Sequence, residues 1–414
     1  MGVPPTMRAL VLSGTGPQHL AVRTVPTPSP GPRQLLARVD AAGICTSLIK
    51  LVAQGPEHSY LYGWDVETHP LILGDEGAVT ITQVGDELRN QYEAGTRYVV
   101  QPAVDHAPIN HRERYSNVES VHKLAVGYTL AGHLAEYILI GEEILEAGCL
   151  LPLPDGLAAA HAALSEPLSC VVSSQDHHLH LSQASPNAPR EVFKGLKPGG
   201  VTVVVGAGAM GRMHVDVALG YRPRAVIVTD FLEARLARVR TLFAAKATAQ
   251  GTALHTVQGG GEVRALIDHM SHHHGADDVI VAVGSPKAAQ AAQTYGGRGS
   301  VLNLFGGFTA SDRTVALDGN LVHYQETVVT GSSGGSPWDV ARTLSLLQEG
   351  ALEVAGHIAA VGDLDHAPEL LRRVERREMD GKAVVYPHRR SETVLEVESW
   401  SLEDERAYLE AVRG

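Results

Sequence analysis

Only three cysteines occur in 414 residues, Cys45, Cys149 and Cys170, and no two of them are spaced as CxxC. That excludes a disulfide framework and a cysteine-rich structural zinc lobe. The chain also lacks any run of about 18 apolar residues, the length a membrane-spanning helix needs. Its N-terminal stretch, MGVPPTMRALVL, has no charged n-region leading into a long apolar h-region, so no secretory signal is expected and a cytoplasmic location is. Positive charge is short as well. A formal charge of −12 argues against nucleic acid or an anionic membrane as a partner, since both reward a basic face. What remains is ordinary for a soluble globular protein: 44% hydrophobic and 19% charged residues. The length suggests two domains.

Residues 201–211, VTVVVGAGAMG, carry the strongest signal. Val201, Val203, Val204 and Val205 read as a buried parallel strand. Gly206 permits a tight turn, Gly208 a close approach of backbone to phosphates, and Gly211 close packing of the following helix. That helix, begun by Ala209 and Met210, would aim its free N–H groups at a pyrophosphate. A second apolar run, 225–228, leads to Asp230, 19 residues after Gly211. A carboxylate there accepts from a ribose 2′-OH and repels a 2′-phosphate. With Phe231 next, and no arginine, NAD is expected. Val283, Gly284 and Phe305, at the ends of two later strand-like runs, complete the cofactor-binding set.

The first 150 residues read as β-rich, with short apolar runs at 9–12, 35–39, 78–84 and 98–100 between Gly/Pro turns. From about Glu166, strand-like runs at 201–205, 225–228, 278–283, 301–305 and 327–330 alternate with helical ones at 209–219, 232–244, 262–272 and 286–295. That alternation predicts a doubly wound parallel sheet. The elements after 331 exceed the sheet's needs and are expected to return to the first domain. The expected division is 1–172, 173–332 and 333–414. An extra amphipathic helix closes the chain.

Three segments ahead of the glycine loop have metal-ligand chemistry: AAGICTSLIK with Cys45 and Ser47, HPLILGDEGAVTITQVG with Asp75 and Glu76, and ALSEPLSC with Glu166. Singly, each has a plainer reading: a small buried thiol, a turn, a helix-start acid. In this order, with GAGAMG after them, they resemble the zinc-dependent medium-chain alcohol dehydrogenases, in particular the sorbitol (polyol) branch. The likeness runs to about Pro387 and takes in 131–137 and 331–339. It implies a GroES-like β-rich catalytic domain joined to a Rossmann domain, and one catalytic zinc with no structural zinc. Carried over by motif, Cys45, Asp75 and Glu166 are metal ligands, with Glu76 an alternate or water-mediated one. Ser47 falls at the proton-relay position and Lys50 at that of a relay histidine.

Two departures belong together. Asp75 stands where the resemblance expects a ligating histidine, and Leu48 where it expects the acid that orients that histidine. An imidazole has a second N–H to satisfy; an Asp ligand has none, and a second acid would be an uncompensated buried charge. The reading is a rebuilt metal site. Cys, Asp and Glu leave it more negative than Cys, His and Glu, which weakens the Lewis acid; Lys50 could offset part of this. In the region 101–128, His106, His111, Arg112 and Arg114 are candidates for a polar substrate pocket. The clusters at 177–180, in an irregular insertion, and at 272–274 read as structural.

These observations favour NAD-dependent, metal-assisted oxidation of a secondary alcohol on a polyol, sugar or cyclitol, in a homo-oligomer (dimer or tetramer). The alternatives are a redox-neutral epimerase or lyase that holds NAD tightly, and a metal-free reductase-like protein that binds a dinucleotide.

Overall fold

The computed structural model describes residues 2–104, 109–116, 118–309 and 311–411. The chain forms two compact units. One comprises Met1–Pro167, Gly335–Gly350 and Val354–Gly414; the other comprises Leu168–Gly334 and Ala351–Glu353. Among the described residues no helix is long and apolar enough to cross a membrane.

The first unit is built on an eight-stranded sheet. Its strands run Leu150–Pro152, Arg97–Val100, Glu76–Val84, Leu35–Gly43, Lys382–Tyr386, Ile358–Asp363 and Leu395–Glu396, with Tyr137–Ile140 also pairing Leu35–Gly43. The central strand Leu35–Gly43 is apolar and almost wholly buried, as a strand covered on both faces must be. Gly43 pairs with Glu76 on one side and Val384 on the other. This register brings residues some 300 positions apart in the chain to neighbouring strand ends. The helix Ser47–Gln54 follows directly and buries Leu48, Leu51 and Val52 on one face.

The C-terminal helix Leu402–Glu410 also belongs to this unit, and its docking is specific. Glu405 is buried and accepts from the backbone N–H of Ala159 and Ala160 at 2.7 and 2.8 Å, and from Tyr386 Oη at 2.8 Å. It thereby caps the helix Ala159–Ala163, which has no side-chain cap of its own. Trp400 Nε1 donates to the same Tyr386 Oη at 2.7 Å.

The second unit carries a six-stranded, all-parallel sheet. The order is Ala253–Gln258, Ala225–Asp230, Val201–Val205, Ala276–Val281, Gly296–Leu304 and Val328–Thr330. The direction reverses at Val201–Val205, the switch point where such sheets bind ligands. The insertion expected to be irregular is instead an antiparallel hairpin, Leu179–Gln183 with Arg190–Lys194. Strand alternation explains it: His180 is buried while Leu179, Leu181 and Val192 face outward. His178 Nδ1 and His180 Nε2 both meet Asp278 Oδ1, at 2.6 and 2.9 Å, and Lys197 N–H donates to Oδ2 at 2.9 Å. These separations are hydrogen bonds, so the triad anchors the hairpin base.

Candidate active site

The glycine loop has the geometry that dinucleotide binding requires. Gly206 has φ of 103°, and a Cβ there would lie 2.5 Å from Val283 Cγ1. A Cβ on Gly211 would lie 1.9 Å from Gly206 O, so the helix Ala209–Gly220 can start only with glycine at that position. Gly208 is its N-cap and supplies no side-chain cap, which leaves the N–H groups of the first turn for an anion. Asp230 ends its strand beside this turn; Oδ2 accepts from Ala207 N at 2.8 Å and Oδ1 from Leu232 N at 2.9 Å. Phe231 is solvent-exposed. Arg235, which sequence reasoning passed over, has its guanidinium 3.7 Å from Asp230; it sits in the first turn of Glu233–Ala249, where charge alone does not mark it. Val283 lies against Gly206, Gly284 approaches Gly307 O, and Phe305 packs edge-on to His214 at 4.4 Å.

In the first unit the Cys45 Sγ and one carboxylate oxygen each of Asp75 and Glu76 lie within 4.8 Å of one another. Asp75 and Glu76 are buried and Cys45 half-buried. Gly43 makes this possible, because a Cβ there would sit 2.0 Å from Glu76 Oε2. Asp75 Oδ1 and Glu76 Oε2 are buried without a hydrogen-bond partner. Two orphaned carboxylate oxygens in a buried group that also holds a thiol are an unfavourable arrangement that a cation would relieve. Burial first, then Asp75 and Glu76, hold the Cys45 thiol well above its usual range. Burial, with Glu76 adding to it, raises Asp75 to about 6 despite its bond from Ser47. The residues fit a divalent metal, and thiolate with carboxylates suits zinc among the first-row ions.

Glu166 lies outside that group of three, near the start of the helix Ser165–Asp176. Its charge nonetheless raises both the Cys45 thiol and the Tyr128 hydroxyl. Ser47 Oγ donates to Asp75 Oδ2 at 2.7 Å and so fixes which oxygen of Asp75 is left open. Lys50, one turn along the same helix, is exposed. The buried cation of the site is Lys382, whose Nζ donates to Glu76 Oε1 and, at 3.2 Å, to Ile44 O. Burial alone would lower its pKa, but Glu76 and Cys45 outweigh that and keep the ammonium charged. Sequence reasoning missed Lys382 and Tyr128, since neither lies in a motif and only sheet register and loop packing bring them in. Burial raises Tyr128, as do Asp75 and Cys45, while hydrogen bonding to Ser47 opposes them.

The pocket candidates of 101–128 are spread out. His106 lies outside the described residues. His111 is exposed, Arg112 pairs with Glu119 at 3.0 Å, and Arg114 stacks over Trp64 at 5.3 Å.

Comparison with known proteins identifies the family and the fold. Residues 31–155 match the alcohol dehydrogenase GroES-like domain. The chain is 31% identical over 383 residues to mannitol-1-phosphate 5-dehydrogenase of Aliivibrio fischeri, covering 90% of this chain and 85% of that one. The chain belongs to the medium-chain dehydrogenases, among their polyol-dehydrogenase-like members. It is also similar to L-sorbose 1-phosphate reductase of Klebsiella pneumoniae, at 28% over 357 residues, 86% of this chain and 82% of that one. Among solved structures, 2R,3R-butanediol dehydrogenase of Bacillus subtilis superposes with a TM-score of 0.73 at 19% identity, covering 92% of this chain and all of that one. Acetophenone reductase of Geotrichum candidum, in complex with NAD, does so at 0.67 and 19%, covering 93% and 98%. The GroES-like and Rossmann architecture is thereby established, and the protein is an oxidoreductase acting on alcohols with a nicotinamide cofactor.

Proposed function

We propose that the protein catalyses the reversible, NAD-dependent and zinc-assisted oxidation of a secondary alcohol on a polyol or sugar to the ketone. The observation that carries this reading is the convergence of Cys45, Asp75 and Glu76 with two buried, unpartnered carboxylate oxygens. Cys45, Asp75 and Glu166 would hold the ion, with Glu76 beside them balanced by Lys382. When bound, the ion supplies Lewis acidity to the substrate hydroxyl and the nicotinamide takes up hydride.

The chain's own residues do the rest. Ser47 Oγ has its proton committed to Asp75 Oδ2, so its lone pairs face outward to accept from Tyr128 or from the hydroxyl being oxidised. Leu48, fully buried on the helix that carries Ser47, adds no charge to the interior of this unit. On the cofactor side, Asp230 accepts from ribose hydroxyls and disfavours a 2′-phosphate, which supports NAD. Several relatives are named for phosphorylated substrates, mannitol 1-phosphate, L-sorbose 1-phosphate and D-arabitol phosphate. A polyol or its phosphate ester is therefore the substrate class. The open edge at Val328–Thr330 would let a second copy extend the sheet in a homo-oligomer, which we place in the cytoplasm.

The test is metal content per chain on wild type and Asp75→Ala, purified without chelators, alongside NADH formation with polyols. About one zinc per chain, lost in the variant, with NADH appearing only in the metal-loaded enzyme, supports the reading. A wild type that binds no metal after reconstitution refutes it.

A further inference from the structure

Each carboxylate of the Cys45–Asp75–Glu76 group has one oxygen held and one left open. Glu76 Oε1 accepts from Lys382 Nζ, and Glu76 Oε2 has no partner. Asp75 Oδ2 accepts from Ser47 Oγ at 2.7 Å, and Asp75 Oδ1 has no partner. Cys45 Sγ accepts from the backbone N–H of Ser47 at 3.5 Å. Ser47 therefore serves two of the three groups, one through its side chain and one through its backbone. Among the described residues it gives Asp75 its one side-chain hydrogen bond.

Local structure lets both contacts form together. Ser47 is the first residue of the helix Ser47–Gln54, after the N-cap Thr46. The N–H groups of a first helical turn have no partner within the helix, so that of Ser47 is free to turn back to Cys45. Asp75 directly precedes the strand Glu76–Val84, and the turn that carries it is anchored elsewhere. The N–H groups of His133 and Leu134 donate to Gly74 O and Leu73 O, both at 2.9 Å. Gly74 has φ of 110°, and a Cβ there would lie 2.6 Å from Leu134 N. With the backbone set by that segment, what remains for Ser47 is the rotation of the Asp75 carboxylate.

This arrangement is poorly suited to passing a proton outward. A hydroxyl has one proton, and that of Ser47 is given to a carboxylate of the ligand group, not to a carrier that leads to solvent. Lys50 stands at the position of the outer relay member, and a lysine ammonium offers donors but no lone pair. Leu48, where the resemblance expects an orienting acid, is apolar and fully buried. We propose that Ser47 is a positioning residue of the metal site, which holds Asp75 so that it binds the ion through Oδ1 alone. Ser47 thereby takes over for an aspartate the orienting task that an acid at position 48 would perform for a histidine. The inference rests on the metal-assisted reading above and changes the part that Ser47 plays in it. A carboxylate with one oxygen tied to a donor binds through the other, whereas an untied one can use both. Binding through one oxygen keeps the coordination number at the four that zinc favours. The lone pairs of Ser47 remain available to accept from a substrate hydroxyl.

The experiment reads the metal site itself. Cobalt(II), a coloured substitute for zinc, is titrated into metal-free wild type, Ser47→Ala and Ser47→Thr, and competition with zinc gives the affinities. Wild type is expected to show a thiolate charge-transfer band and the strong visible bands of four-coordinate cobalt. In Ser47→Ala the affinity should fall ~10–100-fold. Its visible bands should weaken as Asp75 turns to offer both oxygens and the coordination number rises. Ser47→Thr keeps the hydroxyl and should recover most of the affinity and the wild-type spectrum. A relay role alone gives the opposite pattern, with cobalt affinity and spectrum unchanged in Ser47→Ala while turnover drops. That result overturns the proposal and leaves the dehydrogenase reading intact. Equal losses in the Ala and Thr variants also overturn it, because the hydroxyl would not be the operative group. A wild type that takes up no cobalt refutes the metal-assisted reading, and the proposal falls with it.

Discussion

The Glu405 carboxylate joins the C-terminal helix to the segment that delivers Glu166, and its removal gives the sharpest test of that join. In Glu405→Ala the N–H groups of Ala159 and Ala160 and the hydroxyl of Tyr386 lose their acceptor together. A buried donor left without a partner costs about 1–3 kcal/mol, and the lost charge at a helix start adds to it. Water entry recovers part, so the loss is roughly 3–6 kcal/mol. For a unit of this size, about 2–4 °C of melting temperature follows each kcal/mol, so the first unit should melt on the order of 10 °C lower. Scanning calorimetry of wild type, Glu405→Gln and Glu405→Ala measures this, with Gln expected between the two because it retains one acceptor oxygen. The helix Ala159–Ala163 runs almost directly into Ser165 and Glu166, so zinc retention during dialysis should fall in the same order. A shift below about 2 °C in Glu405→Ala would refute the reasoning, for it would mean that solvent replaces the cap at no cost.

Other outcomes follow from the same geometry. Gly211→Ala places a Cβ 1.9 Å from Gly206 O, so NADH binding followed by fluorescence should weaken at least ~10-fold; unchanged affinity would contradict the loop assignment. Asp230→Ser should raise NADP use relative to NAD, because it removes the repelling carboxylate while Arg235 stays 3.7 Å from that position; the ratio of kcat/KM values checks it. Burial holds His133 at about 4 and His214 at about 3, below the ordinary 6.5, with His178 adding to the shift of His214. Both are neutral in the folded state, so their contribution is fully present above pH 6.5 and is lost as pH falls towards those values. Urea unfolding should show about 2 kcal/mol lost from each histidine's unit between pH 6.5 and ~5. Replacing His214 with Phe should abolish that dependence in the second unit.

The parallel sheet was legible because most of its strands contain short, continuous apolar runs. The strand Ala253–Gln258 was not: its residues are only half-buried at the sheet edge and carry His255 among them. The hairpin 179–194 was read as irregular because its outward positions hold Leu179, Leu181 and Val192 where polar residues are the rule. In the site, Cys45, Asp75 and Glu76 could be named because they occupy two short motifs. Lys382 could not, since its role depends on strand Lys382–Tyr386 pairing beside Gly43. Periodicity reports which face a residue takes; it does not report which distant strand lies alongside.

That limit bears on the charge of the site. Reading Asp75 for histidine leaves an extra negative charge, and the sequence offers Lys50 as the compensating cation. In the structure Lys50 is exposed, whereas Lys382 is buried and bonded to Glu76. Glu76 Oε1 is therefore neutralised by Lys382, and the oxygens left without a hydrogen-bond partner are Asp75 Oδ1 and Glu76 Oε2. Restoring a histidine tests this balance. Asp75→His alone would introduce an imidazole whose second N–H gains no acceptor from the apolar, fully buried Leu48. It should retain metal poorly. The double substitution Leu48→Asp with Asp75→His supplies that acceptor and should recover roughly the tenfold or more in metal affinity that such partners contribute. If the single substitution binds zinc as well as the double, Leu48 and Asp75 are not a coupled pair, and the site was not rebuilt in the way their side chains imply.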